Sequence, residues 1–188
     1  MRPYPFVWPY ALAFWVVYVW AFVPEGMIIM RAGRDTRSRR GSQDKSQGKS
    51  QDKGSMGVII LGMWIGLAAA FPLASIPRFQ FPAGARFALY WAGLVLLILG
   101  SLLRRHCWRM LGQYFTGNVV ARPDQVVIDR GAYRFVRHPS YTAGIMMFTG
   151  IGVSLGSWLS TLVAFVSAAA VYVYRVRVEE HALASTIG

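Results

Sequence analysis

The stretch "YTAGIMMFTGIGVSLGSWLSTLVAFVSAAAVYVY", Tyr141 to Tyr174, holds no charged residue in 34 positions. As one straight helix rising about 1.5 Å per residue it would measure roughly 50 Å, well beyond a hydrocarbon core of about 30 Å. Two helices folded back on each other fit better. The "SLGSW" piece, Ser154 to Trp158, supplies small turn-compatible residues and an interfacial tryptophan near the middle. A membrane hairpin of two short spans, tilted or only partly exposed to lipid, is therefore expected.

Three further apolar runs lie upstream, at about Phe6 to Met30, Met56 to Ile76 and Phe87 to Leu103. The first is too long, too aromatic and too poor in leading positive charge for a cleavable signal peptide, so it reads as a retained helix. Its tryptophans and tyrosines read as belt and packing residues. Pro24 and Glu25 mark a kink or the approach to the interface, with Glu25 read as an interfacial carboxylate in preference to a functional intramembrane acid. Composition agrees with a membrane protein, since 55% of the 188 residues are hydrophobic and the charged ones are bunched between the runs. The expectation is an all-α integral membrane protein, a single domain over residues 1–188, with five transmembrane helices and a C-terminal helical hairpin.

A formal charge of +12 does not point to nucleic acid, because the basic residues sit between hydrophobic spans rather than on one face among stacking aromatics. Arg31 to Ser55 contains the low-complexity run "SQDKSQGKSQDKGS" and is expected to be a flexible polar loop. Arg104 to Ser140 carries seven arginines and two aspartates and reads as an extramembrane connector, with "QVVI" as a short extended segment. Those two segments and the tail after Tyr174 hold eight, seven and two Lys/Arg, against only Arg2, Arg78 and Arg86 on the other side. By the positive-inside rule the 31–55 loop, the 104–140 connector and the C-terminus face the cytoplasm. The compact size and the low-complexity loop suggest a bacterial inner membrane.

That division brings "YRFVRHPSY" and "RVRVEEHAL" to the two cytoplasmic ends of one hairpin. Arg134, Arg137, His138 and Tyr141 enter it; Arg175, Arg177, Glu179, Glu180 and His181 leave it. Arg175 and Glu179 are four apart and share a helix face, as do Arg177 and His181. One account makes these residues interface anchors, with snorkelling arginines and a tyrosine in the aromatic belt. The other makes them a site, because so many unlike groups meet beside an apolar hairpin. The remaining motifs carry less. His106 and Cys107 lack zinc-site spacing and no second cysteine exists, so no metal is expected. The "GIG" of Gly150 to Gly152 reads as close helix packing.

"GAYRFVRHPSYTAG", followed some forty residues later by "RVRVEE", resembles the paired signature of the isoprenylcysteine carboxyl methyltransferase family and of its relatives, the membrane phospholipid N-methyltransferases. "DKGS" before the second span and "LGQYFTGNVV" before the motif are also similar to bacterial members. The resemblance covers roughly Asp52 to Gly188. It implies an integral membrane enzyme that takes a methyl group from S-adenosylmethionine. Carried over, Arg137, His138, Pro139 and Tyr141 would form one wall of the cofactor site, and Glu179 and Glu180 the other. Arg175, with Glu179, would sit where the methyl is transferred.

The residue types suit that cofactor. S-adenosylmethionine presents a carboxylate, an ammonium, two ribose hydroxyls and a sulfonium; Arg or His can bind the first, and a glutamate can accept from the ammonium or hydroxyls. Pro139 has no N–H and fits the first turn of a helix, whose free amides could also meet an anionic group. A carboxylate acceptor needs no general base, whereas an amine acceptor would need one, such as Glu179, Glu180 or His181.

The expected function is therefore methyl transfer at the membrane to an isoprenylcysteine-like, prenylated or other lipophilic acceptor amid membrane lipids. Phospholipid N-methylation and a non-catalytic membrane protein that retains the fold are the rivals. After Glu180 the sequence departs from the family, which continues with Leu, Phe-Gly or Leu-Gly, two tyrosines and a basic stretch. Here "EEHALASTIG" stands instead, so the segment that would help to close the pocket is expected to be absent.

Overall fold

The computed structural model describes residues 3–42, 55–112 and 130–187. Five helices carry the architecture: α1 Tyr10–Ser42, α2 Ser55–Leu73, α3 Ala83–Leu111, α4 Pro139–Ser154 and α5 Trp158–Ile187. Among the described residues there is no β-strand, only one antiparallel bridge between Gln80 and Ser157.

The hairpin forms where the uncharged run required it. Helix α4 ends at Ser154, Gly156 turns the chain at φ +77°, and α5 starts at Trp158. A positive φ is cheap only for glycine, which is why the turn falls there. The Phe81 amide donates to the Gly156 carbonyl at 2.9 Å, so the α2–α3 connection and the α4–α5 turn share one end of the bundle. The Pro139 start of α4 and the later part of α5 therefore lie at the other end.

Helix α4 is the centre of the bundle, packed between α3 and α5, while α2 lies on the far side of α5 and α1 on α3. Small residues make this possible. A Cβ on Gly150 would come within 2.6 Å of the Gly93 carbonyl, and one on Gly152 within 2.6 Å of the Thr161 Cα. The "GIG" segment is thus a close-packing surface on both sides. Aromatic pairs close the ring: Trp15 of α1 stacks on Phe71 of α2 at 6.1 Å, and Phe22 meets Phe148 of α4 edge-on at 5.8 Å. The core holds Phe14, Leu67, Tyr90, Leu97, Met147 and Ile151.

The outer surface is inverted relative to a soluble protein. Val16, Val19, Leu61, Trp64, Leu99 and Phe165 are all exposed. Aligned along helices, such residues face lipid rather than water. Three helical stretches, Tyr10–Ile28, Ala83–Leu111 and Trp158–His181, are long and apolar enough to cross a membrane, and Gly57–Leu73 is a shorter apolar helix. At 16 residues α4 is shorter still and largely buried by its neighbours. The protein is an all-α integral membrane protein.

Two sequence expectations need correction. The stretch expected to be loop from Arg31 begins as helix, for α1 runs on to Ser42; residues 43–54 lie outside those described. Its arginines and alanine are good helix formers, and a polar surface ends a membrane span without ending a helix. Likewise Arg104 to Leu111 is not connector but the last two turns of α3, which stops at Gly112 with φ +50°. A charge at the end of an apolar run is no boundary here, for Arg104 pairs with Glu25 and Tyr172 and Arg105 with the Trp20 carbonyl. The "QVVI" segment lies outside the described residues.

Candidate functional site

The site assembles where α4 begins and α5 leaves the bundle. The short 3-10 helix Gly131–Arg134 leads into His138, the residue before α4, and Pro139 takes the first helical position. Proline suits that place because its φ is pre-set and its missing amide would have had no partner there. The His138 side chain does not cap the helix start, and the His138 carbonyl accepts the Tyr141 and Thr142 amides at 3.1 and 3.2 Å.

On α5, Arg175 and Glu179 pair across one turn, Nε to Oε1 at 3.0 Å. The Tyr141 hydroxyl donates to that same oxygen. The other oxygen, Oε2, lies 3.7 Å from His138 Nδ1, while His138 Nε2 lies 3.9 Å from Glu180 Oε1. The His138 and Tyr141 rings stack, with centroids 5.4 Å apart and planes 6° from parallel. His138 therefore sits over Tyr141 with both nitrogens turned toward acids.

Burial grades the cluster. Arg175 is 3% exposed, so its charge depends on partners inside the protein, Glu179 among them. Glu179 and His138 are partly covered, and the Glu180 side chain is 54% exposed. Arg137 is exposed and makes no ion pair among the described residues. The arrangement thus has a closed end at Arg175 and an open end at Glu180 and Arg137. Groups of both signs at an open mouth suit a ligand that carries both an ammonium and a carboxylate.

Five of the residues expected at the site, His138, Tyr141, Arg175, Glu179 and Glu180, are brought into one connected cluster. Pro139 is buried at the helix start, and Arg137, next to His138 in sequence, is exposed. Arg134, Arg177 and His181 are exposed.

Other residues at this end were not read from the sequence as part of it. Tyr133 is half-buried behind the cluster, and burial, with Cys107 and Glu179 nearby, pushes its ionisation upward. It therefore stays a neutral phenol at physiological pH. Trp108 Nε1 donates to Ser140 Oγ at 3.1 Å, tying the end of α3 to the start of α4. Tyr172 stacks on Tyr141 at 5.0 Å and accepts a hydrogen bond from Arg104. Arg104 in turn lies 3.5 Å from Glu25 of α1. Glu25 is not interfacial, as its place after Pro24 had suggested, but 4% exposed. The available signal was the side chain itself, since an acid inside an apolar run needs a partner.

Pro24 also explains a contact of Arg105. Lacking an amide, it cannot bond the Trp20 carbonyl four residues earlier. Arg105 donates to that carbonyl and lies over the Trp20 ring at 4.2 Å. Among the described residues, no group of three His, Cys, Asp or Glu is arranged to hold a metal ion.

Against known proteins, residues 93–185 match the isoprenylcysteine carboxyl methyltransferase (ICMT) family. A protein named Protein-S-isoprenylcysteine O-methyltransferase B, from Arabidopsis thaliana, is 30% identical over 98 residues, 51% of this chain and 50% of that protein. A Protein-S-isoprenylcysteine O-methyltransferase of Schizosaccharomyces pombe is 31% identical over 105 residues, 54% of this chain and 44% of its own. One from Dictyostelium discoideum is 34% identical over 68 residues, 35% of this chain and 29% of its own. The chain thus spans half or less of the length of these relatives.

Proposed function

We propose, because residues 93–185 match the isoprenylcysteine carboxyl methyltransferase family, that the chain is a membrane O-methyltransferase. In this reading it moves a methyl group from S-adenosylmethionine to the carboxylate of an isoprenylcysteine-like or other lipophilic acceptor. The observation that carries the reading is the convergence of His138 and Tyr141 of α4 on Glu179 and Glu180 of α5. Two segments some forty residues apart in sequence supply one mixed-charge mouth at the end of an apolar bundle.

The donor set fits the cofactor's groups. Arg137, His138, Pro139, Tyr141, Glu179 and Glu180 would hold it: the acids could accept from its ammonium or ribose hydroxyls, and Arg137 or His138 could donate to its carboxylate. When bound, S-adenosylmethionine supplies an electrophilic methyl on a sulfonium centre. What the protein adds is alignment and exclusion of water, since a carboxylate acceptor needs no base. Arg175 orients that carboxylate. Its pairing with Glu179 moderates its grip, which matters because a carboxylate held too tightly is a poorer nucleophile.

We place the site on the cytoplasmic face of the membrane. The support for the orientation is the count of 17 Lys/Arg in the segments assigned to the site's side against three elsewhere.

The test is binding of radiolabelled S-adenosylmethionine to the detergent-solubilised protein, beside an Arg137→Ala, Glu180→Gln double variant. Saturable binding that the variant loses supports the site. Transfer of label to N-acetyl-S-farnesylcysteine as a base-labile methyl ester then supports the carboxylate acceptor, whereas base-stable label on phosphatidylethanolamine would overturn it. A well-folded wild-type protein that binds no cofactor overturns the enzymatic reading.

A further inference from the structure

A second set of ionisable groups lies inside the bundle, away from the open mouth. Glu25 of α1 is 4% exposed, and its Oε2 lies 3.5 Å from Arg104 Nε of α3. The Arg104 guanidinium packs over Trp108 at 5.0 Å and over Tyr172 of α5 at 5.7 Å, and its Nη1 donates to the Tyr172 hydroxyl. Tyr172 stacks on Tyr141 at 5.0 Å, and Tyr141 donates to Glu179. Four helices are thus joined in a single line from α1 to the candidate site.

Such a pair is expensive as mere support. A carboxylate and a guanidinium lose their hydration on burial, and an apolar pair of similar volume often stabilises as well or better. Within an apolar bundle the expense points to a role. Geometry says which. Among the described residues, Glu25 Oε1 has no hydrogen-bond partner and Arg104 Nε makes only the ion pair. The contact is therefore aimed at holding the guanidinium rather than at saturating the acid. The held guanidinium reaches Tyr172, whose ring backs Tyr141.

We infer that Glu25 is a positioning residue: by fixing Arg104 it fixes Tyr172 and Tyr141, so α1, which lies outside the matched region of residues 93–185, completes the cofactor site. Gly144 fits the same device. A Cβ there would lie 2.1 Å from the Tyr172 hydroxyl and 2.6 Å from Arg104 Nη1. Glycine on α4 is what lets the two groups meet. This inference rests on the site being the cofactor site proposed above.

The experiment uses the full chain in lipid nanodiscs, with S-adenosylmethionine affinity and unfolding midpoint measured on each variant. Glu25→Gln keeps size and removes charge. Arg104→Lys keeps the charge opposite Glu25, but a point-like ammonium cannot serve the acid and the tyrosine together. Both are expected to weaken cofactor binding roughly tenfold, with Arg104→Lys keeping most of the wild-type midpoint. A merely structural ion pair predicts the reverse, with Arg104→Lys restoring affinity along with stability, and that result overturns the inference. Unchanged affinity in Glu25→Gln overturns it while leaving the cofactor site standing.

A second measurement needs no cofactor. In the ligand-free protein, midpoint shifts of Glu25→Gln and Tyr141→Phe are expected to be non-additive in the double variant, because two intervening side chains couple them. Additive shifts overturn the relay. A wild type that binds no S-adenosylmethionine overturns the cofactor site, and the ligand-free cycle then decides the coupling by itself.

Discussion

Glu179 Oε1 accepts from two sides at once, from Arg175 Nε at 3.0 Å along its own helix and from the Tyr141 hydroxyl across the hairpin. One carboxylate oxygen thereby ties the start of α4 to the last turns of α5. Tyr141→Phe removes the cross-hairpin bond and leaves the ring stacked between His138 and Tyr172. A hydrogen bond to a charged acceptor contributes about 1.5–3 kcal/mol. Part of this is recovered by rearrangement at a partly open site. The expected result is cofactor affinity lowered roughly tenfold with a folded protein, read by titration calorimetry and circular dichroism on one sample.

Arg175 makes Glu179 matter for stability as well as binding. Its side chain is 4% exposed, so loss of the acid removes one partner of a buried charge. Removing one member of a buried pair costs about 3–5 kcal/mol, whereas replacing both by apolar groups is often nearly neutral. Glu179 is partly open to solvent, so the lower part of that range applies. Glu179→Leu is expected to lower the unfolding midpoint clearly, and the Glu179→Leu, Arg175→Met double variant to recover much of the loss. Thermal unfolding in detergent reads both. A double variant less stable than either single one would show that Arg175 is held mainly by other groups.

The hairpin and the clustering of side chains at its end were legible because two simple quantities decide them. The length of Tyr141–Tyr174 excludes a single span, and the four-residue spacing of Arg175 and Glu179 puts them on one face. Tyr141 and His138 followed from the hairpin, which returns α5 to the level where α4 starts. Glu25 and Arg104 were misplaced for a physical reason. Each was judged by local composition, which marks a charge at the end of an apolar run as an interface. Their true environment depends on α1 and α3 lying side by side, which pairs residues 79 positions apart, and no periodicity reports that. The same holds for Tyr172, which looks like one more aromatic in an apolar run until Arg104 is beside it.

The packing of α4 yields a contrast between glycines. A Cβ on Gly150 would lie 2.6 Å from the Gly93 carbonyl and 2.7 Å from the Leu97 amide nitrogen, backbone atoms that cannot swing away. Gly150→Ala must push α3 and α4 apart, at a cost of about 1–3 kcal/mol. Gly84, near the start of α3, has nothing within 4 Å of a built Cβ. Gly84→Ala is therefore neutral, or stabilising by up to about 1 kcal/mol through the entropy of the unfolded chain. Parallel unfolding curves check the pair; equal shifts would mean that the α3–α4 contact is not close.

The topology carries the last prediction, and the single cysteine makes it accessible. Cys107 is buried, so a membrane-impermeant maleimide should leave the wild-type protein unlabelled in intact vesicles. Arg137 and Arg177 lie at the site end of the hairpin and are exposed, whereas Gly84 lies at the opposite end of the bundle near the α2–α3 connection. Single cysteines at 137 and 177, in a Cys107→Ala background, are expected to label together from the side that the basic segments occupy. A cysteine at 84 is expected to label from the other side. If 137 and 177 label from opposite faces, α4 and α5 do not form a hairpin in the membrane, and His138 and Glu179 cannot share a site. If all three label from one face, the bundle does not span the bilayer in the orientation that the 17 basic residues favour.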